Sequence, residues 1–384
     1  MKIGYCTYTD PLDKISWSGI HYFMMKSLAK HCGNTIPIGP LGNKFVLSGR
    51  LFNKLTTILL RRKFDYLRSP LIAMEFARVI KSKIKKINCD VLFIPEGSQL
   101  LAYLDTDLPV IYLSDVTFDL MVDYYPFFTN LFPVSKKWGE QTEARSIKRA
   151  DTIVYPSEWA ARNAIEHYKC SPEKINIIRF GANLDFVPSR EDVMARRKNP
   201  GDKLKMLLVG VDWIRKGGEI AFRAMVELNK RGVDAELVIC GCMPPAGFTH
   251  EKIKVVGFLD KNDPRQAEDL NRLYMESSIF VLPTRSECLG IVYCEACAYG
   301  LPIVSTDTGG VSSYVKDGLN GFLLPAEAGF EAYADKIQEI WGDRNKYVGL
   351  CENARRRFED ELNWDSWALK VKGVIAGLTI PHGK

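Results

Sequence analysis

Nowhere does this chain carry the roughly 20 consecutive apolar residues that a bilayer-spanning helix needs, so no membrane crossing is expected. The opening residues, MKIGYCTYTD, hold one lysine and a short apolar stretch broken by Tyr and Thr, which reads as a first strand rather than a secretory leader. Cysteines are scattered, ten in all. Cys240-x-Cys242 and Cys294-x-x-Cys297 lack a second matching pair and nearby histidines, which argues against structural zinc. Cys294 and Cys297 share one side of a predicted helix and are read as small core residues, and a reducing, cytoplasmic setting is inferred. No G-x-G-x-x-G follows the first strand, which argues against a dinucleotide-binding dehydrogenase. No nucleic-acid-binding motif accompanies the net charge of +6. At 384 residues, about two domains of ordinary size are expected.

What is present is concentrated between Val281 and Pro302, VLPTRSECLGIVYCEACAYGLP. An apolar strand, Ile279–Leu282, is stopped by Pro283. A polar loop leads to a helix that opens near Leu289 and ends at Gly300 and Pro302, and another apolar run follows at once. This is a parallel crossover unit, so the loop lies at the carboxyl end of a strand, where open α/β sheets bind ligands. Gly290 permits close backbone approach. The amides of Gly290, Ile291 and Val292 are first-turn donors backed by the helix dipole, a combination suited to phosphate. Glu287, in the loop, and Glu295, about two turns into the helix, repel an anion and suit neutral hydroxyls. Hydroxyls beside phosphates point to a ribose and a sugar.

Glu287-Cys288-Leu289-Gly290-Ile291-Val292-Tyr293-Cys294-Glu295 resembles the E-x7-E element of the family 4 retaining glycosyltransferases, and its neighbours keep the family's order: Leu282-Pro283, Glu295-Ala296, Gly300-Leu301-Pro302, Asp307-Thr308-Gly309-Gly310 and Asp317-Gly318-Leu319-Asn320-Gly321. The resemblance implies an α/β protein of GT-B architecture, with two Rossmann-like domains facing each other across a cleft and a C-terminal helix crossing back to the first. The expected boundaries are an acceptor domain at 1–187, a linker at 188–203 (charged, with Pro and Gly), a nucleotide-sugar domain at 204–362 and the returning helix at 363–384.

The family's roles carry over residue by residue. Glu287 orients the donor sugar and Glu295 holds the ribose. Gly210-Val211-Asp212-Trp213-Ile214-Arg215-Lys216-Gly217 resembles the loop whose two cations neutralise the donor diphosphate. Lys216 stands at the lysine position, while Val211 stands where the family has arginine and Arg215 is the candidate replacement. Too many residues separate Gly210 from Lys216, and no Ser/Thr follows, for a P-loop. Gly257 and Phe258 end the strand expected to hold the base. Cys288, Leu289, Gly290, Ile291 and Val292 complete the donor site. In the first half, Gly19 matches a glycine loop that approaches the donor phosphate. His21 faces either the acceptor or solvent. Asp115, in a loop where relatives carry a histidine, contacts a sugar hydroxyl or the acceptor, or caps a helix. The aromatic run Tyr124–Phe128 either stacks on a ligand or packs in the core.

The activity so implied moves a hexose from a nucleotide sugar, UDP-sugar by family frequency, to a sugar or lipid-linked hydroxyl acceptor in cell-envelope or exopolysaccharide synthesis. Neither cofactor nor metal is expected, because Lys216 and the helix start supply positive charge and no DxD stands in a suitable loop. The rival readings are a GT-B-type sugar-nucleotide epimerase or hydrolase, and a non-catalytic nucleotide-sugar-binding partner. One segment stands apart. Residues 44–86 hold twelve Lys/Arg against Asp65 and Glu75, a net +10 interleaved with apolar residues, which reads as a peripheral contact with an anionic membrane or with a lipid-linked, phosphate-bearing acceptor, or as a solvated helical face.

Overall fold

The computed structural model describes residues 1–378. They form two compact units, one of Met1–Ile178 with the chain from Trp367 onward, the other Arg179–Ser366.

The first unit is built on six parallel strands: β1 (Lys2–Tyr5), β2 (Asn34–Pro37), β3 (Val91–Pro95), β4 (Val110–Leu113), β5 (Thr152–Tyr155) and β6 (Ile175–Ile177), in the order β2-β1-β3-β4-β5-β6. β3, β4 and β5 are buried along their whole length, as strands covered on both faces must be. Helix α1 (Ile20–His31) follows β1, and α2 (Val46–Leu60) and α3 (Pro70–Ile87) follow β2. The core gathers Ile72, Phe76 and Ile80 of α3 against Leu92 and Ile94 of β3 and Tyr112 of β4. Trp367, fully buried, packs edge-on to Phe93 at 6.0 Å.

The second unit repeats the plan: β7 (Leu204–Val209), β8 (Ala235–Cys240), β9 (Ile253–Gly257), β10 (Ile279–Leu282), β11 (Ile303–Thr306) and β12 (Gly321–Leu324), all parallel, in the order β12-β11-β10-β7-β8-β9. This is the doubly wound order, and it reverses between β7 and β10. In the first unit the order reverses between β1 and β3. At such a point the loops after the two strands diverge to opposite faces and leave a crevice at their carboxyl ends.

The segment expected to be a linker is a helix instead, Arg190–Lys198, inside the second unit. Although the segment is charged, Arg197 is fully buried. The guanidinium donates to the carbonyls of Tyr274 (3.2 Å), Met275 (2.7 Å) and Ser277 at the end of the helix Pro264–Glu276, and to Tyr299 (3.0 Å) at the end of the helix Ile291–Ala298. One cation thus satisfies carbonyls that two helix ends leave open, at their negative poles. The aromatic run Tyr124–Phe128 is not a core cluster; it lies at the surface, with Phe127 half exposed. Every cysteine is a buried free thiol.

Candidate functional site

The reversal between β7 and β10 brings together two loops remote in sequence. After β7, Gly210 leaves room for the Lys216 side chain, since a Cβ there would stand 2.7 Å from Lys216 Cγ. Gly217 turns the chain at φ +69, with Pro283 O only 1.9 Å from where its Cβ would be. After β10, Arg285 N and Thr284 Oγ1 both donate to Arg215 O, at 2.7 and 3.2 Å, and stitch the loops together. The result is a charged corner. Lys216 Nζ pairs with Glu287 Oε2, both nearly buried. Arg215 Nη1 donates to Ser286 O at 3.0 Å and lies 3.6 Å from the same Glu287 oxygen. Val211 is exposed, and the Arg215 guanidinium lies beside the Lys216–Glu287 pair.

Gly290 caps the adjoining helix, which begins at Ile291, in a left-handed conformation (φ +74); a Cβ there would meet the Tyr293 ring at 2.4 Å. The first-turn amides of Ile291 and Val292 follow, and Cys288 and Leu289 are buried beneath the loop. Glu295 is therefore one turn into the helix rather than two. It is buried, its Oε2 accepts from Tyr274 OH at 2.8 Å, and its Oε1 meets Lys261 Nζ. Lys261 also donates to Asn183 O at 3.2 Å. Reading the sequence missed Lys261 and Tyr274. The signal available for Lys261 was its place shortly after the β9 end expected to hold a base, where Gly257 has φ +77 and Phe258 is exposed.

The first unit's reversal, between β1 and β3, carries the other candidates. Trp17, Ser18 and Gly19 are all left-handed (φ 46, 56 and 86), and Gly19 caps α1. His21 is not a surface residue: it is 1 % exposed, with Tyr5 OH 3.2 Å from Nδ1 and Glu96 Oε2 3.0 Å from Nε2. Glu96, just past β3, is itself left-handed (φ +58) and half exposed, and it was not singled out from the sequence. Strained backbone of this kind persists where the surroundings over-determine it, and it concentrates at ligand sites. Asp115 sits partly buried in the loop after β4, and it is not the cap of the next helix, Phe118–Met121, whose N-cap is Thr117. Elsewhere in this unit Asp119, Glu140 and His167 converge, with both His167 ring nitrogens already facing carboxylates, at 3.8 and 3.1 Å.

Two family models match in succession, "Glycosyltransferase Family 4" over residues 47–186 and "Glycosyl transferases group 1" over 189–357. The chain belongs to the group 1 glycosyltransferases of family 4. Among curated relatives, the D-inositol 3-phosphate glycosyltransferase of Corynebacterium aurimucosum is 28 % identical over 259 residues, 62 % of this chain and 60 % of that protein. The match thus spans about three fifths of the relative's length. Among solved structures, sucrose-phosphate synthase from Thermosynechococcus elongatus superposes with a TM-score of 0.69 at 16 % identity, over 98 % of both chains. Anabaena HepE in complex with UDP superposes at 0.68 and 14 % identity, over 98 % of this chain and 100 % of that one. The fold of this chain is thus the expected GT-B, two Rossmann-like units with parallel six-stranded sheets. No described helix is long and apolar enough to cross a membrane.

Proposed function

We propose that this chain moves a hexose from a UDP-sugar to a hydroxyl of a sugar or lipid-linked acceptor, with retention at the anomeric carbon and without metal or organic cofactor, in cell-envelope or exopolysaccharide synthesis. The observation that carries the reading is the corner between β7 and β10, where Lys216 and Arg215 flank Glu287 in front of a glycine-capped helix start. When the glycosidic bond breaks, negative charge grows on the departing diphosphate, and fixed cations and amides stabilise that state more than the ground state. An arriving diphosphate competes with Glu287 for Lys216 and leaves the glutamate to accept a donor-sugar hydroxyl. Glu295, held by Tyr274 and Lys261, takes the ribose, and the β9 end at Gly257 and Phe258 takes the base. Gly19 approaches the donor phosphate, and His21 and Asp115 serve the acceptor or the sugar. Solved structures of Anabaena HepE in complex with UDP and with UDP-glucose support uracil as the base.

Thermal-shift screening of the purified chain against UDP-, GDP- and ADP-sugars in excess EDTA tests this. A ligand at a hundred times its Kd stabilises the native state by about 2.7 kcal/mol, so the right nucleotide stands out. Stabilisation that needs added magnesium or manganese contradicts the metal-free reading, and product formed from a UDP-sugar without any acceptor favours an epimerase or hydrolase.

A further inference from the structure

Helix α2 is built the wrong way round for a water-facing helix. Of its fifteen residues only Val46 and Thr56 are buried. The side turned to the protein is small and polar. A Cβ on Gly49 would meet the Tyr66 ring at 2.7 Å, and Asn53 Oδ1 accepts from Phe64 N at 2.7 Å. The side turned away is apolar: Leu47, Leu51, Phe52, Leu55, Ile58 and Leu59 are between 47 and 76 % exposed. At 3.6 residues per turn these six fall within an arc of roughly 140°. Phe127, half exposed, extends the patch, because its loop is tied to the helix end through Lys63 N, which donates to Asn130 O at 3.1 Å, and through Lys63 Nζ, which donates to Pro126 O.

Charge selects what covers this face. From Lys44 to Lys63 there are six Lys/Arg and no Asp or Glu. Lys44, Arg50, Lys54, Arg61 and Arg62 are exposed, and Lys54 and Arg50 lie along one edge of the apolar arc. A second copy of the chain would bring six like charges against six. An anionic lipid surface satisfies both features, with leucine side chains entering the acyl boundary and the cations remaining at the headgroups. At 1.5 Å per residue the helix is about 22 Å long, too short to span a bilayer, so it lies in the interface plane.

We propose that α2 is a membrane-docking helix that seats the first unit on an anionic lipid surface through Leu47, Leu51, Phe52, Leu55, Ile58 and Leu59, with Arg50 and Lys54 along one edge of that face and Lys44, Arg61 and Arg62 just beyond the helix ends. The inference does not depend on the glycosyltransfer reading, because no residue of α2 is among those proposed to bind the donor.

The test is co-sedimentation of the full chain with phosphatidylcholine vesicles, with and without about one third phosphatidylserine. Wild type is expected to sediment with the anionic vesicles, less so as salt rises toward physiological strength, where screening sets in. Each cation near such a surface is worth about a fivefold factor in partitioning. Replacing three (Lys54→Gln, Arg61→Gln, Arg62→Gln) therefore weakens partitioning roughly a hundredfold. Leu51→Gln with Leu55→Gln and Ile58→Gln abolishes sedimentation even at low salt. These side chains are exposed, so unfolding temperature and UDP affinity stay at wild-type values, and the loss is not one of folding. The proposal is overturned if wild type stays in the supernatant, if neutral vesicles bind it equally well, or if the leucine variant merely dissolves a dimer seen by sedimentation velocity.

Discussion

Each sheet reverses its strand order once, and the two reversal points use the same backbone device with different chemistry. In both, a left-handed residue ends a loop and caps a helix, Gly19 in the first unit and Gly290 in the second. In both, a carboxylate past a central strand is held by a basic side chain from the segment that follows the other strand: Glu96 by His21, in the first turn of α1, at 3.0 Å, and Glu287 by Lys216. The second corner surrounds its carboxylate with permanent cations, which suits a ligand that arrives as an anion and leaves more charged. The first offers an imidazole backed by a tyrosine hydroxyl and a half-exposed carboxylate, which suits neutral hydroxyls. Identical topology therefore does not imply identical ligands; the side chains at the switch point decide.

The sharpest way to break this comparison is to remove the base from each corner in turn. Lys216→Ala takes away the charged hydrogen bond proposed to the diphosphate, a loss of about 1.5–3 kcal/mol, and should weaken UDP binding roughly ten- to a hundredfold by calorimetry. His21→Ala should leave UDP affinity where it was. Glu287→Gln frees Lys216 and should hold or tighten UDP binding, whereas Glu295→Gln, which keeps an acceptor for Tyr274 but loses the charge facing Lys261, should loosen it. Equal losses on replacing Lys216 and His21 would mean that the two corners do not divide the work as described.

The second corner could be read from the sequence because its parts are contiguous. Glu287, Gly290, Glu295 and the turns that follow occupy one crossover unit, and the glycines stand where the backbone needs them. The first corner could not. His21 and Glu96 are 75 positions apart, and nothing in the residue types Trp17, Ser18 and Glu96 announces a left-handed backbone. Lys261 escaped for the same reason, being 34 positions from Glu295. The helix Arg190–Lys198 was misjudged because charge density normally marks solvent, whereas Arg197 finds its partners at helix ends that only the fold assembles. For α2 the amphipathic pattern was visible, but a pattern does not say which side meets the protein, and here it is the polar one.

The contrast between fixed and titratable groups extends to the interiors. Buried Glu295 has a lysine against it, while buried Glu143 in the first unit has a tyrosine, Tyr112 OH at 3.1 Å. Burial pushes Glu143 up to about 7, although Arg68 nearby pulls it down. A carboxyl raised in the folded state above its ordinary 4.5 adds stability that is fully present below that value and is lost as pH climbs through about 7. Glu143→Gln should therefore flatten the decline between these limits and raise unfolding free energy at pH 8 by about 1–3 kcal/mol, with little change near pH 4. Denaturant unfolding at the two pH values measures it; an equal shift at both would assign the effect to packing instead of charge.

The smallest expected effect probes the strain itself. Trp17 and Ser18 occupy left-handed wells that disfavour side chains, while the matching cap in the second unit is a glycine. If the first corner holds its loop against intrinsic preference, Ser18→Gly should relieve it, since glycine enters that region without a Cβ penalty of roughly 1–2 kcal/mol. Glycine also gains freedom in the unfolded chain, which offsets part of the gain, so the net stabilisation should be about 0.5–1 kcal/mol, read as a rise in unfolding temperature. A lower unfolding temperature would show that the Ser18 side chain holds the loop through its own contacts, and that the left-handed run is supported locally and is not stored strain.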